Sequence, residues 1–313
     1  MKKILFMMLG VLIALPAFAR DFTYEYGGQT LTYTVLDENA KTCKTKNGSY
    51  QSSSYQPGNE VSGNLVLPAN PKDGEVEYTL TTIGTYAFSL CSGLTSVSIP
   101  NTVTSIGYAA FYKCSGLTSF NIPNSVTSIG EYAFSDCSGL KTLIIEDGDT
   151  ELNVGSFAFA SSPLENLTIG RNWTYGGIRA MSTDIKNLTL TNGVTVIPDY
   201  AFYNCSGLTS VNIPESVTSI DYAAFSHCSG LETLIIEDGD TELNVGDSAF
   251  QYSPIENLSI GRNWTYGGSG AMTTSIKNLT LTNGVTVIPK YAFHKCSGLT
   301  SVSIPNTVTS IGY

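Results

Sequence analysis

The chain repeats itself, and the length of the repeat limits what it can fold into. The tetrapeptide Cys-Ser-Gly-Leu begins at Cys91, Cys114, Cys137, Cys205, Cys228 and Cys296. With the leucine as marker and Ile allowed, the series runs Leu94, Leu117, Leu140, Leu164, Ile185, Leu208, Leu231, Ile255, Ile276 and Leu299. The steps are 23, 23, 24, 21, 23, 23, 24, 21 and 23 residues. Four successive steps make a super-repeat of 91, and residues 114–204 align without gaps on 205–295, matching at 71 of 91 positions. Units this short cannot enclose a core alone, so they must stack and bury their apolar sides against each other.

The unit Leu94 to Gly116 shows how. Leu94, Val97 and Ile99 are spaced as the inward side of a strand, with Ser96 and Ser98 facing outward. Pro100 has no N–H for a ladder and ends the strand. Val103 and Ile106 continue the inward pattern on a second side, Gly107 permits a corner, and Ala110 and Phe111 read as a short helical turn before Cys114. The expectation is a β-rich solenoid with short helical or 3-10 corners, over residues 61–313, in about ten to eleven units. At about 4.8 Å per rung, ten units make a rod of roughly 48 Å.

The consensus L-x-x-L/V-x-I-P-x-x-V-T-S-I-G-x-x-A-F-x-x-C is intact at 94–114, recurs with one departure each at 117–137 (Phe120) and 208–228 (Asp221), and resembles the BspA-like class of bacterial leucine-rich repeats. The resemblance covers about residues 61–313. The start of the chain resembles that family's N-terminal region. Phe22, Tyr24 and Tyr26 alternate, Gly27-Gly28 can turn, and Leu31, Tyr33 and Val35 alternate back. This predicts a β-hairpin cap within residues 20–60, set against a first rung supplied by Leu65-Val66-Leu67-Pro68. The Ser/Gly-rich segment from Asn47 to Gly63 reads as a loop. The resemblance implies a secreted or surface-displayed protein of host-associated bacteria, with adhesion to host matrix proteins a property of some members.

Residues 1–19 have the layout of a secretory signal. Lys2 and Lys3 precede an apolar run from Ile4 to Leu15, and Ala17-Phe18-Ala19 offers small residues at the cleavage positions. Cleavage is expected after Ala19. The run is shorter than the roughly 18 residues a membrane span needs, so no transmembrane span is expected. The chain stops in mid-repeat at Tyr313, having repeated 91–108 residue for residue in 296–313, which reads as a fragment lacking its C-terminal cap.

Loss of the two signal lysines moves the formal net charge from −10 to −12. With no basic patch, nucleic acid is excluded as a partner. Charged residues are 13% of the chain, about half the usual share, and hydroxyl and amide groups take their place. Oligomeric state is not legible.

The ladder cysteines would stack with parallel side chains, which is poor geometry for disulfides, and lack the convergent spacing of metal ligands. They read as small buried apolar residues, with Cys43 alone in the cap. His227 and His294 occupy the positions of Asp136 and Tyr203 in the neighbouring copy and read as corner surface residues. No nucleophile elbow, H-E-x-x-H or phosphate-cradling loop is present, so neither catalysis, nor a cofactor, nor a metal is expected. The acidic run Glu146-Asp147-Gly148-Asp149-Thr150-Glu151 and its twin 237–242 invite a calcium reading, against a solvated loop. The loops Arg171-Asn172-Trp173-Thr174-Tyr175-Gly176-Gly177 and 262–268 hold the only tryptophans, Trp173 and Trp264. With Tyr175 and Tyr266 they read either as exposed hot spots or as core plugs, since Trp173 aligns with the core position of Val103.

The remaining candidate is the outward row of the main strand: Ser98, Asn121, Ile144, Thr168, Thr189, Asn212, Ile235, Ser259, Thr280 and Ser303. Solenoids bind along such faces, and Ile144 and Ile235 stand out as apolar residues on a polar row. A β-branched residue also simply suits a sheet. Two functions follow: an adhesion or recognition scaffold for extracellular protein or glycan, or a structural repeat whose binding part lies outside this chain.

Overall fold

The computed structural model describes residues 20–51, 54–175, 183–266 and 275–312. The expected signal segment 1–19 lies outside the described residues, as do Gly176, Gly177, Gly267 and Gly268 of the tryptophan loops.

Apolar residues at the marker positions force the chain into a coil whose turns stack in parallel. On one side run the main strands: Ser119–Ile122, Thr142–Ile145, Asn166–Ile169 and Asn187–Leu190 form one parallel sheet. Ser210–Ile213, Thr233–Ile236, Asn257–Ile260, Asn278–Leu281 and Val302–Ser303 form the next. Gly63–Val66 pairs with Leu94–Ser98 and supplies the first rung, as expected. On the second side, Thr79–Ile83, Ser105–Ile106, Ser128–Ile129, Leu152–Val154 and Trp173–Tyr175 pair in succession. Between the sides lies a continuous core of marker leucines, strand isoleucines and corner phenylalanines. Phe88, Phe111, Phe134 and Phe159 stack at 5.2–5.4 Å, one ring per rung.

The N-terminal cap continues the second side. Asp21–Tyr26 and Gln29–Asp37 form the expected antiparallel hairpin, turned by Gly27 and Gly28 at φ 61 and 78. Thr42–Thr45 then joins the hairpin to Thr79–Ile83. Phe22, Leu31, Tyr33, Val35 and Cys43 are buried beneath it. The segment Asn47–Gly63 is more ordered than a loop. It holds a small hairpin, Ser49–Gln51 with Ser54–Gln56, and its backbone completes the first corner through Gly48 N to Thr85 O at 2.7 Å and Asn59 N to Ala87 O at 2.8 Å.

The corners correct the sequence reading. Among the described residues there is no helix, and Tyr-Ala-Phe and Ala-Ala-Phe corners are turns. Each carries two non-glycine residues with positive φ four apart, such as Ala109 and Lys113, Tyr132 and Asp136, or Ala223 and His227. A left-handed residue breaks a right-handed helix after one turn. The gain lies between rungs. Tyr86, Phe88 and Leu90 donate their N–H to the carbonyls of Tyr108, Ala110 and Tyr112 on the next rung, at 2.7–2.9 Å. The alternate residues Ala87, Ser89 and Cys91 donate back within the turn at 3.2–3.3 Å. Stacking thus satisfies the groups that a helix would have satisfied locally.

Candidate functional site

Parallel pairing puts the outward row in register. Asn121, Ile144, Thr168 and Thr189 are successive ladder partners, as are Asn212, Ile235, Ser259, Thr280 and Ser303. Ser98 pairs with Val66 on the first rung. Thr168 and Ser259 are half-buried and the others exposed, so the row is one continuous surface within each sheet. Ile144 and Ile235 are 41% and 42% exposed, apolar positions in rows otherwise carrying hydroxyls and amides. Asn121 and Asn212 are tied to Glu146 and Glu237 through Nδ2 to Oε1, at 2.6 and 2.5 Å. Each isoleucine therefore sits between a fixed amide and a threonine or serine, on a rigid sheet.

The tryptophan loops do a different job. Trp173 and Trp264 are buried, 3% and 1% exposed, each with a ring 6.1 Å from the next corner phenylalanine, Phe202 or Phe293. They plug the core where a shortened unit has no corner Phe of its own, and they present no surface to a ligand. Tyr266 is half-buried and donates its hydroxyl to Ala292 O at 3.0 Å, while the side chain of Tyr175 lies outside the described residues. The arginines of the same loops are fully buried. Arg171 donates to the carbonyls of Asn124, Pro123 and Val126 at 2.5, 3.0 and 2.8 Å, and Arg262 repeats the pattern on Glu215, Pro214 and Val217. Burial draws both guanidinium pKa values down from their ordinary range. Asn172 accepts from Thr195 N and Val196 N at 2.8 and 3.1 Å, standing in for a strand where the second-side sheet stops at Tyr175. Arg-Asn-Trp is thus a staple: one residue ties back, one ties forward and one fills the gap.

The acidic runs are likewise tied down. Glu146 Oε2 accepts from Asn124 N at 3.1 Å, and Asp147 Oδ1 from Thr191 Oγ1 at 2.5 Å, with Asp238 and Thr282 repeating the second contact. Among the described residues no group of three or more His, Cys, Asp or Glu is arranged to hold a metal. Glu146 and Asp147 thus turn to different partners, the one to Asn121 and Asn124 and the other to Thr191.

None of the seven cysteines is in a disulfide. Cys114, Cys137 and Cys228 donate their Sγ–H to the carbonyls of Phe88, Phe111 and Phe202 on the preceding rung, each at 3.1 Å. Where the series lacks a cysteine, Ser162 and Ser253 make the same bond to Phe134 O and Phe225 O at 2.6 Å. The position therefore asks for a small donor, not for sulfur chemistry. Burial raises every one of these thiol pKa values, Cys43, Cys137 and Cys228 to about 12. His227 sits half-buried at a corner between the rings of Tyr203 and Tyr252, with centroids 5.0 and 4.7 Å away, and its Nδ1 lies 2.9 Å from Ser226 Oγ.

With a rung of strand, turn and buried Cys or Ser repeated along the chain, comparison with known proteins becomes decisive. The sequence profile described as BspA type leucine rich repeat region, in six copies, matches residues 70–181, 179–275 and 271–313. The chain belongs to the BspA-type leucine-rich-repeat family. Its fold is similar to a leucine-rich repeat protein from Bacteroides ovatus, at 24% identity and a TM-score of 0.53, over 92% of this chain and 79% of that one. It also aligns with a leucine rich cell surface protein from Faecalibacterium prausnitzii, at 20% identity and TM-score 0.40, over 93% and 94% of the two chains. The pneumococcal vaccine antigen PcpA aligns at 17% identity and TM-score 0.38, over 93% of each. No curated protein matches the sequence. A BspA-type chain is a repeat scaffold, and no helix among its described residues is long and apolar enough to cross a membrane.

Sequence reasoning missed the staple. It weighed Arg171 as one member of an exposed hot spot, whereas the side chain spans two rungs inward. A signal was available: Arg-Asn-Trp recurs only where a unit following the acidic run is shortened to 21 residues.

Proposed function

We propose that this protein is an exported surface scaffold that holds an extended macromolecular partner, protein or glycan, along its outward strand face and carries out no chemistry. The observation behind this is the in-register row around Ile144 and Ile235, exposed apolar side chains on rigid sheets at equivalent places of the two 91-residue copies. Four rungs separate them, or about 19 Å, a span suited to a polymer. Export is supported by Lys2, Lys3, the apolar run and Ala17 to Ala19.

Repeated weak contacts along a rod add by avidity, so deleting residues 205–295 should weaken binding far more than any single substitution. Surface binding to immobilised extracellular-matrix proteins and glycans tests the reading, comparing wild type with an Ile144→Lys, Ile235→Lys double variant. Retained binding by the double variant removes the strand face as the site. Absence of any matrix or glycan ligand favours the spacer function instead.

A further inference from the structure

One surface of the rod is not accounted for by the strand face. At the corners where the two copies meet, five rings form an unbroken surface chain. Tyr222 lies 5.3 Å from Tyr200, Tyr200 5.8 Å from Tyr203, Tyr203 5.0 Å from His227, and His227 4.7 Å from Tyr252, centroid to centroid. Tyr203, Tyr222 and Tyr252 are 40%, 44% and 69% exposed. The fold does not require these rings. The positions 91 residues earlier hold Ala109, Tyr112, Glu131, Asp136 and Ser161. Ala109, Asp136 and Ser161 adopt the same left-handed backbone, with φ 49, 58 and 56, as Tyr200, His227 and Tyr252, with φ 56, 62 and 60.

Charge identifies what the rings would take. From 187 to 261 the sequence has no Lys or Arg in 75 residues, and ten Asp or Glu. Asn204 and Glu232 stand where Lys113 and Lys141 stand 91 residues earlier. Those exchanges matter because corner tyrosines here, half-buried Tyr112 and exposed Tyr291, collect lysines. Lys113 Nζ lies 5.1 Å from the ring centroid of Tyr112, and Lys290 Nζ 4.8 Å from that of Tyr291. Tyr203 is the twin of Tyr112 but has Asn204 in place of Lys113. Tyr200 is the twin of Tyr291 but has Asp199 in place of Lys290. Asp199 and Asp247 are exposed beside the rings, and Asp199 is oriented by Tyr222 N at 2.8 Å.

We propose that the corner ridge Tyr200, Tyr203, Tyr222, His227 and Tyr252 docks a basic segment of a partner protein. Its Arg or Lys side chains lie over the tyrosine faces, where twin rings carry the chain's own lysines, and the flanking aspartates supply the counter-charge. A cation over an exposed ring is attracted by its quadrupole, and an acidic rim steers such a partner in. This surface is independent of the strand face, and its test leaves Ile144 and Ile235 untouched.

The probe is a fluorescein-labelled hexa-arginine peptide, with binding to the full chain read by anisotropy at 150 mM salt. A Tyr203→Ala, Tyr252→Ala double variant changes no formal charge and is expected to weaken binding about tenfold. Tyr203→Phe should bind as wild type. Asn204→Lys places an internal cation beside Tyr203, as Lys113 is beside Tyr112, and is expected to weaken binding comparably. Wild type that fails to bind overturns the proposal, and so does a double variant that binds equally, since net charge would then be the whole effect. If the alanine variant does not fold, Asn204→Lys decides: binding equal to wild type sinks the ridge.

Discussion

Removing the buried arginine of the staple should damage the fold more than any surface charge does. The acidic run in the unit from Leu140 displaces the I-P-x-x-V corner that would have stacked on Pro123–Val126. Arg171 reaches across that gap, passing Gly148, whose added Cβ would lie 3.4 Å from Arg171 Cδ. On other rungs the next corner gives one such donor, as Ser125 Oγ gives to Val103 O at 2.8 Å; here Arg171 takes that role at Val126 O and adds bonds to Pro123 O and Asn124 O. Arg171→Met keeps the apolar stem but strands the Val126 carbonyl in a dry interior and leaves Pro123 O with Val126 N alone at 3.1 Å, while Asn124 is exposed. A buried acceptor stranded in this way costs about 1–3 kcal/mol, so with the weakened bonding at Pro123 roughly 2–3 kcal/mol is expected. Arg171→Ala adds a cavity and should cost about 4–5 kcal/mol. Arg171→Lys should recover only part of the loss, because one ammonium cannot fan over three carbonyls as a guanidinium does. Urea unfolding gives the total. Amide exchange gives the locality, with loss of protection expected first in residues 117–154, because solenoids open by neighbouring rungs. An Arg171→Met midpoint within about 0.5 kcal/mol of wild type would refute the reasoning, since the carbonyls would then need no donor.

Two further outcomes test the core. Phe134 is fully buried, 5.2 Å from both Phe111 and Phe159 and 4.5 Å from Phe120, so Phe134→Ala should cost about 3–5 kcal/mol, while Ser98→Ala on the exposed row should stay within about 0.5 kcal/mol; equal urea midpoints would show inward and outward to be misassigned. The buried thiols should make the protein alkali-sensitive. Their folded pKa values are raised above the ordinary 9.0, so their contribution is complete below about pH 9 and is lost as pH rises towards 12, because only the unfolded chain releases those protons. Each such thiol should remove about 1.4 kcal/mol per pH unit in that window, and a urea midpoint unchanged between pH 8 and pH 10 would contradict their burial.

How much of this was legible follows from where the information sits. Marker leucines and strand isoleucines at a fixed period dictate stacking, and the register of Asn121, Ile144 and Thr168 follows from counting alone. The cap hairpin was legible because Gly27-Gly28 lies between two alternating runs. The corners were not. Ala-Ala-Phe-Tyr-Lys has the local composition of a helical turn, and only the next rung's carbonyls, remote in sequence, make two left-handed residues per corner the better arrangement. Arg171 was misread for a related reason. Its partners lie 45 to 48 residues away, and no local pattern shows that the intervening unit leaves their carbonyls unsatisfied.

The two copies of the super-repeat separate what the fold demands from what it permits. They differ at 20 of 91 positions, and eleven of those differences fall in the corner segments: 130, 131, 132, 136, 156, 157, 160, 161, 199, 203 and 204. The acidic run and Arg-Asn-Trp are identical in both, as packing requires. The outward strand row differs only at Thr168 against Ser259, although its exposed members take no part in the core. An exposed Ile144 that recurs as Ile235 suits a sheet, as β-branched residues do, and is also what a repeated binding contact would keep. The corner behaves in the opposite way, with its rings and charges redistributed between copies over an unchanged backbone. A face that repeats suits one polymer held at several points, and a corner that varies suits a single partner held at one. The Ile144→Lys, Ile235→Lys and Tyr203→Ala, Tyr252→Ala variants should therefore affect different ligands, and a common loss of one ligand in both would mean that the two surfaces form a single site.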